Sequence, residues 1–128
     1  MTALRLLLSL VGLVAVLAGI WGAAAGISGM SGESAGTINV DSEYRFLSVV
    51  WMGYGLLALW AAARAAGRRG LVLGLFGVLF CAGLARALSW AVEGRPDDVY
   101  LVLLGLELAT PLVGLALLRE PRSKQTEP

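Results

Sequence analysis

The sequence has no histidine and a single cysteine, Cys81. Without histidine, the usual haem and zinc ligand sets and histidine-based acid, base or nucleophile-activating constellations are excluded. One thiol leaves no internal disulfide, no Cys-x-x-Cys redox pair and no thiolate-bound iron–sulfur cluster. Cys81 falls in the middle of an apolar run and is read as a buried packing residue. Charge is also scarce. Only 15% of residues are charged, where a soluble domain has about a quarter, and ten Lys+Arg against nine Asp+Glu leave a net charge of +1. No strong field exists to draw a nucleic acid or an acidic partner, so nucleic-acid binding is excluded.

What fills the 128 residues instead is apolar side chain, 58% of the total with mean hydropathy +0.79. Four largely apolar runs occupy 6–26, 44–63, 71–92 and 99–118. Each is near the roughly 20 residues needed to cross a bilayer as a helix. Breaks rich in glycine, serine or charge separate them: the stretch from Ser28, then Gly67-Arg-Arg-Gly70, then Glu93-Gly-Arg-Pro-Asp-Asp98. Short connections make successive helices antiparallel neighbours, so the expected fold is an all-α integral membrane four-helix bundle forming a single domain over 1–118. The remainder, 119–128, is polar, holds two prolines and is read as a cytoplasmic tail. The first run carries Ala23-Ala-Ala25, which looks like a small-residue cleavage site, but the run is longer than a signal-peptide core and is read as a retained span.

Orientation follows from the cations, because Lys and Arg at span ends are retained in the cytoplasm. Arg5, Arg64, Arg68, Arg69, Arg119, Arg122 and Lys124 lie on one side, whereas Arg45 and Arg95 lie on the other with Glu33, Asp41, Glu43, Glu93, Asp97 and Asp98. Both termini are therefore expected to be cytoplasmic, in a multi-pass protein of the plasma (inner) membrane. Trp21 and Trp90 near the outer ends of their spans, and Trp60 near an inner end, are read as interface anchors.

Within lipid, helices associate through close approach of small residues and through polar contacts. Gly12, Gly19, Gly22 and Gly26 form a stripe on the first span that includes a literal G-x-x-x-G, and this face is read as a helix contact, either inside the bundle or with another subunit. Gly53 and Gly55 on the second span, and Gly70, Gly74 and Gly77 on the third, admit the same reading.

Two charges lie deep inside spans, away from their ends. Arg86 is about 9 Å below the outer end of the third span and Glu107 about 12 Å below that of the fourth, at 1.5 Å per residue. A lone charge at such depth costs roughly 2.5 to 3.5 kcal/mol, so intramembrane ionisable residues pair or line a polar cavity. Small or polar neighbours at helical spacing surround them: Gly83, Ser89 and Glu93 beside Arg86, and Thr110, Pro111 and Gly114 beside Glu107. Pro111 also frees the Glu107 carbonyl from its helical donor. At the mouth of the second span, Asp41 is placed to cap the helix and to meet Arg45 at i, i+4, with Glu43 on another face. The candidate polar site is thus Glu43, Arg45, Arg86, Ser89, Glu107 and Thr110, either an internal clamp or a pocket.

The stretch from Asn39 to Phe46, the glycines Gly53 and Gly55, the segments Gly83-Leu-Ala-Arg-Ala-Leu-Ser89 and Gly94-Arg-Pro96, and Glu107-Leu-Ala-Thr-Pro111 resemble a bacterial family of four-helix inner-membrane proteins described only as a domain of unknown function. The resemblance covers about 39–118, its layout is also similar to the DoxX-like and sterol-isomerase-like membrane groups, and it draws attention to Glu43, Arg45, Phe46, Arg86, Ser89, Glu107 and Pro111. It implies the topology and no activity. Small multidrug exporters share the length and span count but place an essential acid in the first helix, where this chain has none.

The glycine stripes and the lack of a sizeable soluble domain favour a non-enzymatic accessory or structural component of a membrane assembly. The alternative is a binder of an amphiphilic lipid, isoprenoid or quinone whose head meets Arg86 and Glu107. The weakest fit is an isomerase-like enzyme using Glu107 or Glu43 for proton exchange. Neither a cofactor nor a metal is expected. The expected partners are the lipid bilayer together with another membrane protein, a second copy or an amphiphilic ligand.

Overall fold

The computed structural model describes residues 2–30, 38–64 and 68–119. Helix α1 spans Thr2–Ala25 and runs into a 3₁₀ turn, Gly26–Gly29; α2 spans Ile38–Ala63, α3 Arg69–Glu93 and α4 Asp98–Arg119. No strand occurs among the described residues. All four helices are long and apolar enough to cross a membrane, so the chain is a multi-pass membrane protein. Of the expected cytoplasmic tail, Arg119 is the last residue of α4, and 120–128 lie outside the described residues.

The helix ends follow local chemistry. Gly26 (φ +65°) and Gly94 (φ +101°) adopt the left-handed backbone that ends α1 and α3, and the Gly94 amide donates to the Trp90 carbonyl at 3.1 Å. At the start of α4 the Tyr100 and Leu101 amides donate to the Asp97 carbonyl at 2.9 and 3.3 Å. The helix begins as soon as the chain has passed Pro96.

Consecutive helices are antiparallel and form two hairpins, α1–α2 and α3–α4. Along the first, Gly12 faces Gly55, Gly19 faces Ser48 and Met52, and Gly26 faces Asp41 and Arg45. Added Cβ atoms show how close the backbones come: one at Gly12 would sit 2.8 Å from the Gly55 carbonyl oxygen, and one at Gly19 2.6 Å from that of Ser48. The α1 stripe is therefore consumed inside the chain. In the second hairpin Gly83 faces Glu107 and Leu108, and the Phe76 ring packs onto Gly114.

The two hairpins join at one end, called here the terminal end, where α1 and α3 start and α2 and α4 finish. There Leu4, Leu8, Ala58, Ala61, Ala62, Val72, Leu75 and Phe76 form the buried core, flanked by Leu117 and Leu118. Tyr54 Oη donates to the Leu75 carbonyl at 2.9 Å and ties α2 to α3. Toward the opposite, loop end, the buried positions Gly19, Gly22, Gly26 and Ser48 belong to the first hairpin, and Gly83 and Glu107 to the second. At the terminal end Trp60 lies under two cations, with the Arg68 and Arg64 guanidinium carbons 4.0 and 5.4 Å from its ring. Trp21 and Trp90 are exposed near the loop end.

Three sequence expectations change here. Cys81 is exposed rather than buried. The packed face of α3 is set by Leu75, Phe76, Leu79 and Gly83, and Cys81, two residues from Leu79, projects about 200° away from it. Among the described residues, Cβ atoms at Gly53, Gly70, Gly74 and Gly77 would meet nothing within 4 Å, so these glycines are not contacts between the described helices. Asp41 lies within the first turn of α2 rather than capping it, because the helix begins at Ile38.

Candidate functional site

The intramembrane pair is built by the close approach at Gly83. A Cβ there would fall 2.7 Å from Leu108 Cδ2 and 3.2 Å from Glu107 Cβ, so the two helices approach closely at Gly83 and Glu107 lies beside Arg86, one turn further along α3. Arg86 Nε donates to both Glu107 oxygens, at 3.0 and 2.8 Å. The Glu107 side chain is 6% exposed and that of Arg86 38%. The guanidinium carbon lies 5.9 Å from the Tyr100 ring. Because Tyr100 sits two turns nearer the loop end than Glu107, the cation straddles a buried anion and an aromatic ring closer to the membrane surface.

The second constellation closes the other hairpin. Arg45 Nε donates to Asp41 Oδ2 at 2.7 Å, and Arg45 Nη1 donates to the Ala23 and Ala24 carbonyls at 2.7 and 3.0 Å. Asp41 Oδ1 in turn accepts the Ile27 amide at 2.8 Å. The last carbonyls of a helix lack intrahelical donors and carry partial negative charge, so a guanidinium there is doubly favourable. Arg45 is thus a C-terminal cap for α1, supplied from α2. One turn further, Ser48 Oγ donates to the Tyr44 carbonyl at 2.7 Å and lies against Gly22.

Of the residues singled out from sequence, the structure joins Arg86 to Glu107 and Arg45 to Asp41, on different hairpins. Glu43 belongs to neither pair. It is exposed and lines a cavity of about 420 Å³ with Ile27, Met30, Val40, Tyr44 and Leu47. Ser89 is exposed, Thr110 half-buried, and neither bonds to the ion pair. Sequence reasoning missed the capping role of Arg45 and the place of Tyr100 beside Arg86. The first had a signal, a glycine ending α1 opposite an Asp-x-x-x-Arg at the start of α2; the second had none. A third ion pair, Arg95 Nη2 to Asp98 Oδ1 at 2.7 Å, is exposed at the α3–α4 connection and contributes little stability.

Four apolar spans zipped into two hairpins by glycine contacts, each locked by an ion pair, define the class: a small multi-pass four-helix membrane protein. Residues 3–118 match the family described as Domain of unknown function (DUF4345), and the chain belongs to that family. The match includes α1, which the motifs from Asn39 onward do not reach. No curated protein and no solved structure matches the chain.

Proposed function

We propose that this chain is a non-enzymatic component of a plasma-membrane assembly, with both termini cytoplasmic, and that its ion pairs act as clamps. The observation that carries the proposal is the G-x-x-x-G from Gly70 to Gly74, uncovered among the described residues: Cβ atoms at both positions would meet none of them within 4 Å, whereas the equivalent pattern on α1 is filled by α2. A small-residue face left open in lipid is suited to close approach by another helix. The non-enzymatic half draws on Glu107. An acid that exchanges protons with a substrate needs accessible oxygens, whereas both of these accept from Arg86 and the side chain is 6% exposed.

A photo-crosslinking residue at Val78, one turn from Gly74 and outward-facing, tests the assembly reading. It is expected to give an adduct of discrete mass with a polypeptide, whether a second copy or another protein, and Gly74→Leu is expected to abolish that adduct while leaving the fold intact. Adducts with lipid alone, or a polypeptide adduct indifferent to Gly74→Leu, would overturn the reading.

Orientation is tested separately. With Cys81 replaced by Ala, single cysteines at positions 34 and 123 are exposed to an impermeant thiol reagent on whole cells. Position 34 is expected to label and position 123 to stay unlabelled until the membrane is opened; the reverse pattern would refute cytoplasmic termini.

A further inference from the structure

Five arginines gather at the terminal end: Arg5 on α1, Arg64 just after α2, Arg68 just before α3, Arg69 opening α3 and Arg119 closing α4. No carboxylate stands at this end among the described residues. By sequence, the tail 120–128 carries two acids and two bases, which leaves the positive surplus unchanged. Arg64 and Arg68 lie over the Trp60 ring. Arg69 and Arg119 are exposed, and neither side chain forms an ion pair or hydrogen bond with a described residue.

These two arginines stand at the mouth of a groove. An apolar cavity of about 220 Å³ opens between α3 and α4, over Phe76 and Pro111, with Leu73, Gly77 and Phe80 on one wall and Leu112 and Leu115 on the other. At about 100° per residue, Arg69 falls within about 40° of Leu73 and about 20° of Phe76 and Phe80 around α3. Arg119 falls within about 40° of Leu115 and about 20° of Leu112 around α4. Each arginine therefore continues one wall of the groove, four residues or about 6 Å beyond its last leucine. The two are also level. Phe76 packs on Gly114 and Gly83 faces Glu107, a register that puts Arg69 and Arg119 within two residues, about 3 Å, of the same height. From Arg69 to Phe80, at the far end of the groove, is eleven residues or about 16 Å, which is half of a hydrocarbon core of about 30 Å. The groove thus lies in one leaflet, with its cations at that leaflet's surface.

Charge and shape together decide the occupant. Two forked guanidinium groups without a carboxylate suit a phosphate diester, whose oxygens accept from both. A zwitterionic headgroup brings its own cation to an end that already carries a positive surplus. A soluble phosphate would leave the apolar groove beneath it without a tail. We infer that Arg69 and Arg119 bind the phosphate of an anionic glycerophospholipid, one of whose acyl chains lies in the groove between α3 and α4. This goes beyond the assembly role, which the crosslink at Val78 tests independently.

The test uses the full chain in an uncharged detergent, with phosphatidylglycerol, phosphatidylcholine of the same acyl chains, or glycerol 3-phosphate added separately. A ligand that binds the folded state raises the thermal midpoint, and phosphatidylglycerol is expected to raise it by about 5 °C at saturation while the other two leave it unmoved. The double variant Arg69→Gln with Arg119→Gln is expected to lose the rise. So is Gly77→Leu, which fills the groove at a position where a Cβ meets no described residue within 4 Å. Arg5→Gln with Arg64→Gln removes the same charge from the same end but from the first hairpin, and is expected to keep the rise. An equal rise with phosphatidylcholine, a rise with glycerol 3-phosphate, or no rise at all would overturn the inference. So would a rise that survives Gly77→Leu or the Arg69 and Arg119 changes, or one lost equally with Arg5 and Arg64, which would make the attraction a diffuse property of the basic end.

Discussion

Arg86→Met and Glu107→Gln each lower the thermal midpoint of the detergent-solubilised protein, and the double variant is no worse than Arg86→Met alone. Removing Arg86 strands a carboxylate whose side chain is 6% exposed, and an uncompensated buried charge costs about 3 to 5 kcal/mol when its partner is deleted. The expected loss for Arg86→Met lies at the lower end of that range, because Glu107 loses one donor group rather than a network. Glu107→Gln costs less, about 1 to 2 kcal/mol, since the half-exposed guanidinium can swing toward Tyr100 and the membrane surface. In the double variant no charge is stranded, so the two effects couple by about 1 to 3 kcal/mol. Additive losses would show that the residues do not act as a pair.

The second large effect belongs to the α1–α2 seam. Gly19→Leu is expected to cost at least about 3 kcal/mol and to promote aggregation on mild heating, with Gly22→Leu close behind. An added Cβ at Gly19 would sit 2.6 Å from the Ser48 carbonyl oxygen and 2.7 Å from the Met52 amide nitrogen. Both are backbone atoms of α2, so rotating a side chain relieves nothing; the helices must separate, and the Ser48 and Arg45 contacts along the seam weaken with them. Leu17→Ala is the control. Leu17 is 58% exposed, and a side chain facing lipid loses little on truncation because lipid is as apolar as the methylenes removed. Thermal aggregation midpoints in one detergent provide the comparison. Indistinguishable midpoints for Gly19→Leu and Leu17→Ala would refute the close-packed seam.

Two kinds of information separate here. The sequence alone determined the all-α class, four spans within six residues of the observed helix ends, and depths of Arg86 and Glu107 that agree to about 3 Å. These follow from one-dimensional quantities: the length of an apolar run, the position of its polar breaks and the rise per residue. The tertiary structure decided which faces meet. In a soluble bundle the apolar stripe marks the inside, but in lipid both inside and outside are apolar, so periodicity cannot say that Gly12, Gly19 and Gly55 lie in a seam while Gly53 and Gly74 lie open. The same ambiguity placed Cys81 inside when it projects outward. Only the fold, too, could show that Arg45 reaches back 22 positions to the Ala23 carbonyl, and that the two ion pairs lock separate hairpins. Those contacts depend on the register of one helix against another, which backbone approach at individual glycines sets.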